Sequence, residues 1–120
     1  IDQAWLNSLD ILKQTFQAEP EVLKEIQQEI DIESTYVIQG KGYVVDCLLS
    51  AKYALKQSSY QDVIKTAISL GHDTDTTACV AGGLAGIVFG ESGIPERWKL
   101  ALKGQDMVEP LLEALLDSHV

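Results

Sequence analysis

The sequence predicts an all-α protein, and three observations carry that prediction. Apolar residues recur at spacings of three and four in almost every segment, no stretch sustains the every-second-residue alternation of a strand, and the composition (46% hydrophobic, 22% charged) is that of a globular chain able to bury a core. The 120 residues form one domain or part of one, with about six or seven helices and no internal linker, repeat or low-complexity segment.

The first helix is predicted over 2–17, where Trp5, Leu9, Leu12 and Phe16 form one stripe. Pro20 suits the first position of a second helix whose apolar face is Val22, Leu23, Ile26 and Ile30. Residues 34–42, STYVIQGKG, break the pattern: two glycines around a lysine read as a loop, and TYVIQ is the only strand-like piece. A third helix starts at Tyr43 and carries Val44, Val45, Leu48, Leu49, Ala51 and Leu55. Ser59 with Asp62 has the form of an N-terminal cap for a fourth, carrying Val63, Ile64, Ala67, Ile68 and Leu70. A fifth runs from about Asp75 to Phe89, a short one follows Pro95, and Gly104 stops it. Asp106 is expected to cap the last, with Val108, Leu111, Leu112, Leu115 and Leu116, although Pro110 weakens its first turn.

Charge and composition exclude some functions. A net charge of −9 repels a phosphate backbone, so nucleic acid is not an expected partner. No apolar run approaches the roughly 20 residues needed to span a bilayer, so no membrane partner is expected either. The start, IDQAW, lacks both a signal-peptide pattern and an initiating Met, which points to a processed chain or a piece of something longer. Cys47 and Cys79 lie in apolar helical patterns with no zinc spacing, which predicts buried free thiols and suits a reducing, cytoplasmic location.

The chemistry is concentrated in 71–90, GHDTDTTACVAGGLAGIVFG. Gly82, Gly83 and Gly86 each cost about 1 kcal/mol relative to Ala inside a helix, so close approach of neighbouring helices is the expected compensation, with the helix central and little exposed. Just before them stand five oxygen-bearing side chains in a row, Asp73, Thr74, Asp75, Thr76 and Thr77. One of them is enough to cap a helix. Hard cations such as Mg²⁺ also take carboxylate and hydroxyl oxygens, so residues and spacing leave two readings open: a cap, or half of a metal site.

GHDTDTTACVAGGLAGIVFG resembles the C-terminal signature of the ADP-ribosylglycohydrolase family. Upstream, GYVVDCLLSAKYAL is similar to that family's G-Y-V-x-D-[TS]-L helix, and LKGQDMVEPLLEALL to its closing helix. The resemblance is clear over 38–117 and weak over 1–37, and three ordered blocks at matching spacing are far more specific than a lone D-x-D-T. It implies that residues 1–120 are the C-terminal portion of a larger all-α, multi-helix orthogonal bundle. It further implies two Mg²⁺ (or Mn²⁺) ions in a cleft for ADP-ribose. Asp73, Asp75 and Thr76 match the family's metal ligands. Gly42, Tyr43 and Val44 match the segment lining the adenosine side, where Tyr43 would flank the ligand or simply pack at the helix start. Position 72, here His72, is often Gly or Asn in the family.

The activity implied is metal-dependent hydrolysis of the glycosidic bond at C1 of ADP-ribose, in an ADP-ribosylated protein or an ADP-ribose derivative. The metals would hold the ribose hydroxyls or lower the pKa of an attacking water, beside an oxocarbenium-like transition state. The family's other metal ligands, a Thr-Asp-Asp-like cluster near its N-terminus, have no counterpart here. The implied partner is therefore the upstream half of the same protein, or a separate chain that supplies it. The alternatives are a non-catalytic relative that binds ADP-ribose or a nucleotide, or serves structurally, and a plain helical interaction domain in which GHDTDT is only a cap.

Overall fold

A computed structural model describes residues 1–31 and 36–118, and among these the only regular secondary structure is helical. The elements are α1 (Asp2–Thr15), α2 (Pro20–Glu25, continuing as a π turn over Ile26–Ile30), α3 (Val44–Ala54), α4 (Tyr60–Ser69), α5 (Thr74–Phe89), α6 (Glu96–Ala101) and α7 (Gln105–Asp117), with a 3₁₀ turn at Glu91–Gly93 before α6.

The sequence signals for several helix ends hold. Pro20 occupies the first turn of α2, where its missing N–H costs nothing. Ser59 caps α4: its hydroxyl accepts from the Asp62 N–H at 3.1 Å and donates to the Asp62 carboxylate at 2.7 Å. At α7, Gly104 and not Asp106 takes the cap position, with φ +79, and the helix continues through Pro110. Residues 36–39 of the strand-like TYVIQ stretch carry no regular structure, and Thr35 lies outside the described residues.

The core sits where α3, α4 and α5 meet. Its buried residues are Ala51, Ala54 and Leu55 from α3, Val63 and Ala67 from α4, and Ala81 and Ala85 from α5. Five alanines among seven bring the helix axes close. The prediction that the glycines do this is only partly right. At Gly82 an added Cβ would meet Ile64 Cδ1 at 3.1 Å and the Tyr60 hydroxyl at 3.2 Å, whereas Gly83 and Gly86 have nothing within 4 Å. Nor is α5 largely enclosed: Leu84, Ile87 and Val88 are exposed, and with Trp5 and Leu9 of α1 and Leu48 of α3 they line an open apolar groove of about 480 Å³.

Smaller contacts place the peripheral helices. Lys13 pairs with Asp31 at 2.6 Å, tying α1 to the end of the π turn, and the Lys52 ammonium lies 4.2 Å from the Trp5 ring centroid, joining α3 to α1. Trp98 of α6 meets Tyr60 edge-on at 6.3 Å, and Arg97 donates to Gln61 at 2.8 Å. The apolar residues of α7, from Met107 to Leu116, are all exposed. No described helix is long and apolar enough to cross a membrane.

The two cysteines part company. Cys47 is buried as expected, but Cys79 is exposed. Burial pushes the Cys47 thiol up, the Thr77 hydroxyl opposes that rise, and the Asp73 and Asp46 charges add to it. A thiolate-directed reagent at neutral pH is therefore expected to label Cys79 and spare Cys47, as read by peptide mass spectrometry. Val63→Ala, in the fully buried centre, is expected to cost about 2 kcal/mol from the lost methyl groups and the cavity left behind. A lowered urea midpoint at unchanged slope checks this.

Candidate metal and ligand site

The acidic pair sits at the turn between α4 and α5. Helix α4 ends at Ser69 with Leu70 as its C-cap, and the next two residues have positive φ, Gly71 at +78 and His72 at +55. Two left-handed residues in succession reverse the chain and start α5 at right length for Asp73 to stand at its N-cap position. Gly enters that region freely and Asn with little cost, whereas His72 carries strain there. This gives a backbone reason for Gly or Asn at position 72. The His72 side chain is exposed at the turn.

Asp73 occupies the capping position, yet its side chain makes no capping hydrogen bond. Its carboxyl group is instead within hydrogen-bonding reach of Asp75. That contact, first, and then the N–H groups of Thr76 and Asp75 hold the Asp75 carboxyl below the usual carboxylate range. Asp75 and Thr76 are exposed and Asp73 is partly so, which leaves their oxygens reachable from solvent. Next in the helix, Thr77 is fully buried, and its hydroxyl faces Cys47 without an ordinary hydrogen-bond partner.

A second loop, 36–43, comes up against this turn. The Asp73 N–H donates to the Gly40 carbonyl at 2.9 Å. Gly40 has φ +68, and a Cβ there would lie 2.8 Å from Leu70 Cβ. Gly42 lies directly on the Asp73 carboxylate, so that a Cβ at Gly42 would overlap Oδ2. Both glycines are thus needed for the two loops to touch. Tyr43 and Val44 follow at the start of α3 and are exposed, 59% and 72%.

Gly42 is therefore brought against Asp73, which Asp75 and Thr76 follow in the first turn of α5. The oxygens are the hard donors that Mg²⁺ or Mn²⁺ prefers, and the uncapped, converging carboxyl groups suit a cation. They are also too few on their own: among the described residues no three His, Cys, Asp or Glu side chains form a metal-binding group.

The sequence reading named no role for Asp46, the aspartate of the GYVVD stretch. Its side chain is buried and accepts from the Tyr36 hydroxyl at 2.9 Å, Gln39 N–H at 3.2 Å, Lys41 N–H at 2.6 Å and the Ser50 hydroxyl at 3.4 Å. A signal was there to be read: a lone carboxylate in an otherwise apolar helix, with Ser50 one turn on.

Comparison with known proteins bears on the family of the chain. The chain is 37% identical over 81 residues to the ADP-ribosylarginine hydrolase Tri1 of Pseudomonas putida (strain GB-1), which covers 67% of this chain and 22% of the relative. It is 38% identical over 58 residues to the ADP-ribosylhydrolase ARH3 of Homo sapiens, covering 48% of this chain and 16% of the relative. With the ADP-ribosyl dinitrogen reductase glycohydrolase of Rhodospirillum rubrum the figures are 31% over 84 residues, 68% and 29%. These matches span less than a third of each relative's length. No solved structure matches the chain at a significant level. The family model for ADP-ribosylglycohydrolase matches residues 1–119, taking in the first helices as well as the three blocks read from the sequence. Residues 1–119 of these 120 thus carry the pattern, and the chain belongs to the ADP-ribosylglycohydrolase family.

Proposed function

We propose that this chain is the C-terminal part of a metal-dependent hydrolase that cleaves the glycosidic bond of an ADP-ribosylated protein or an ADP-ribose derivative. One observation supports the metal part of this reading: Asp73 stands at the N-cap position of α5 without a capping hydrogen bond, its carboxylate against Gly42. The activity is argued from the family and from the names of the relatives, which act on ADP-ribosyl bonds.

On this reading Asp73, Asp75 and Thr76 hold the metal pair together with ligands from the upstream part of the protein. When bound, the cations supply Lewis acidity and positive charge at the sugar of the substrate. The chain's own residues do the rest of the placement. The Asp73 side chain, and then the N–H groups of Thr76 and Asp75 at the head of α5, favour the ionised form of the Asp75 carboxyl. Gly42 leaves the space into which the Asp73 carboxylate fits. Tyr43, exposed at the rim, offers an aromatic face against which a nucleobase can lie.

In the full-length protein, Asp75→Asn is expected to weaken Mg²⁺ or Mn²⁺ binding by more than the roughly 10- to 100-fold that loss of an outer-shell partner costs, and to abolish release of ADP-ribose from a modified protein. Isothermal titration and a product assay read the two effects; unchanged affinity and turnover would sink the assignment. Metal and ADP-ribose binding without any product release would instead indicate a non-catalytic relative. Gly42→Ala is expected to rotate the Asp73 carboxylate and cost about tenfold or more in metal affinity, with little change in melting temperature, since Gly42 is exposed.

A further inference from the structure

We propose that Asp46 is a positioning residue for the acidic pair: through the loop it grips, it sets where Asp73 stands. The inference rests on the metal-site reading above and goes beyond it to a residue on a different helix.

Three consecutive amides point at Asp46 and Ser50. Gln39 N–H and Lys41 N–H both donate to the Asp46 carboxylate, at 3.2 and 2.6 Å, and the Gly40 N–H between them donates to Ser50 Oγ at 3.3 Å. Ser50 lies one turn along α3 and itself donates to Asp46 at 3.4 Å. With successive N–H groups converging on one buried pair of acceptors, the backbone forms a small nest, possible because Gly40 adopts φ +68. The nest fixes Gly40, and its carbonyl accepts from the Asp73 N–H at 2.9 Å. Two residues on, Gly42 abuts the Asp73 side chain. Asp46 thus sits one hydrogen bond behind the loop that holds Asp73 by both its backbone and its carboxylate.

The buried position adds weight to this. Asp46 is 1% exposed, and a buried carboxylate is tolerated only when its oxygens are satisfied. Here one oxygen takes the Tyr36 hydroxyl and Gln39 N–H, and the other takes Lys41 N–H and the Ser50 hydroxyl. Asn at this place keeps the shape, but its NH₂ group must face a donor on one side or the other. A core position could be filled by an apolar residue at lower cost; what a carboxylate adds is a fixed path for residues 39–41.

The test uses the full-length protein with three variants: Asp46→Asn, Ser50→Ala, and Val63→Ala as a control that destabilises the core away from the loop. Amide exchange of the metal-free protein is followed by mass spectrometry on peptides covering 71–77. Mn²⁺ affinity is read from the electron paramagnetic resonance of the free ion. Asp46→Asn is expected to speed exchange of the Asp73 amide at least tenfold and to weaken Mn²⁺ binding by about 10- to 100-fold. Ser50→Ala should do both to a smaller degree, while Val63→Ala leaves both within twofold. Should Asp46→Asn fail to fold, Ser50→Ala decides alone. Wild-type binding of Mn²⁺ with unaltered exchange and affinity in the loop variants overturns the inference. Equal losses in Val63→Ala also overturn it, because they reduce the effect to general destabilisation. No Mn²⁺ binding by the wild type brings down the metal-site reading itself, and the inference falls with it.

Discussion

Everything at the acidic turn depends on how closely α5 approaches α3 and α4. The approach is set by alanine: Ala51 and Ala54 from one helix, Ala67 from the second, and Ala81 and Ala85 from the third are all fully buried. Side chains one carbon long bring the backbones near enough for the loops at the ends of these helices to touch. The 36–43 loop leads into α3 and the 70–73 turn leads into α5, so the distance between Gly40 and Asp73 follows from the helix packing. A larger residue at Ala81 would separate the helices and, with them, the two loops.

The interface is closed on one side only. The face of α5 bearing Ala81 and Ala85 is buried, whereas Leu84, Ile87 and Val88 are exposed over the apolar groove they share with α1. Six apolar residues of α7, from Met107 to Leu116, are exposed as well. Contiguous apolar faces of this extent on helices are characteristic of surfaces that pack against further polypeptide. They accord with matches that span less than a third of the relatives' length.

The helices themselves were legible. Their periodicities are local, and so are the Ser59 cap and the first-turn Pro20, which need only neighbours along the chain. The acidic turn was legible as a pattern but ambiguous as physics, because a cap and a metal ligand use the same atoms. The structure adds one fact to that pattern: the Asp73 side chain makes no capping hydrogen bond. What the sequence could not convey is long-range. Gly83 and Gly86 look like packing glycines, yet nothing packs on them; Cys79 looks apolar and buried, yet it lies on the uncovered face. Asp46 reaches partners ten residues upstream, at Tyr36, through a loop with no periodicity to announce it.

The acidity of the chain, −9 overall, stands against the proposed ligand, which carries a diphosphate. The conflict resolves at the turn if the proposed reading is taken to its electrostatic conclusion. Asp73 and Asp75 repel each other and any anion nearby, and the positive end of α5 offsets only part of that. A divalent cation held between them reverses the local sign, so the same carboxylates that exclude an anionic ligand without metal attract one with it. Ligand binding then depends on metal binding, and linkage requires the converse: the anionic ligand must tighten the hold on the metal by the same factor. An acidic surface around such a site favours entry of the cation first and discourages anions that lack one. The net charge is in that view part of the selectivity of the site.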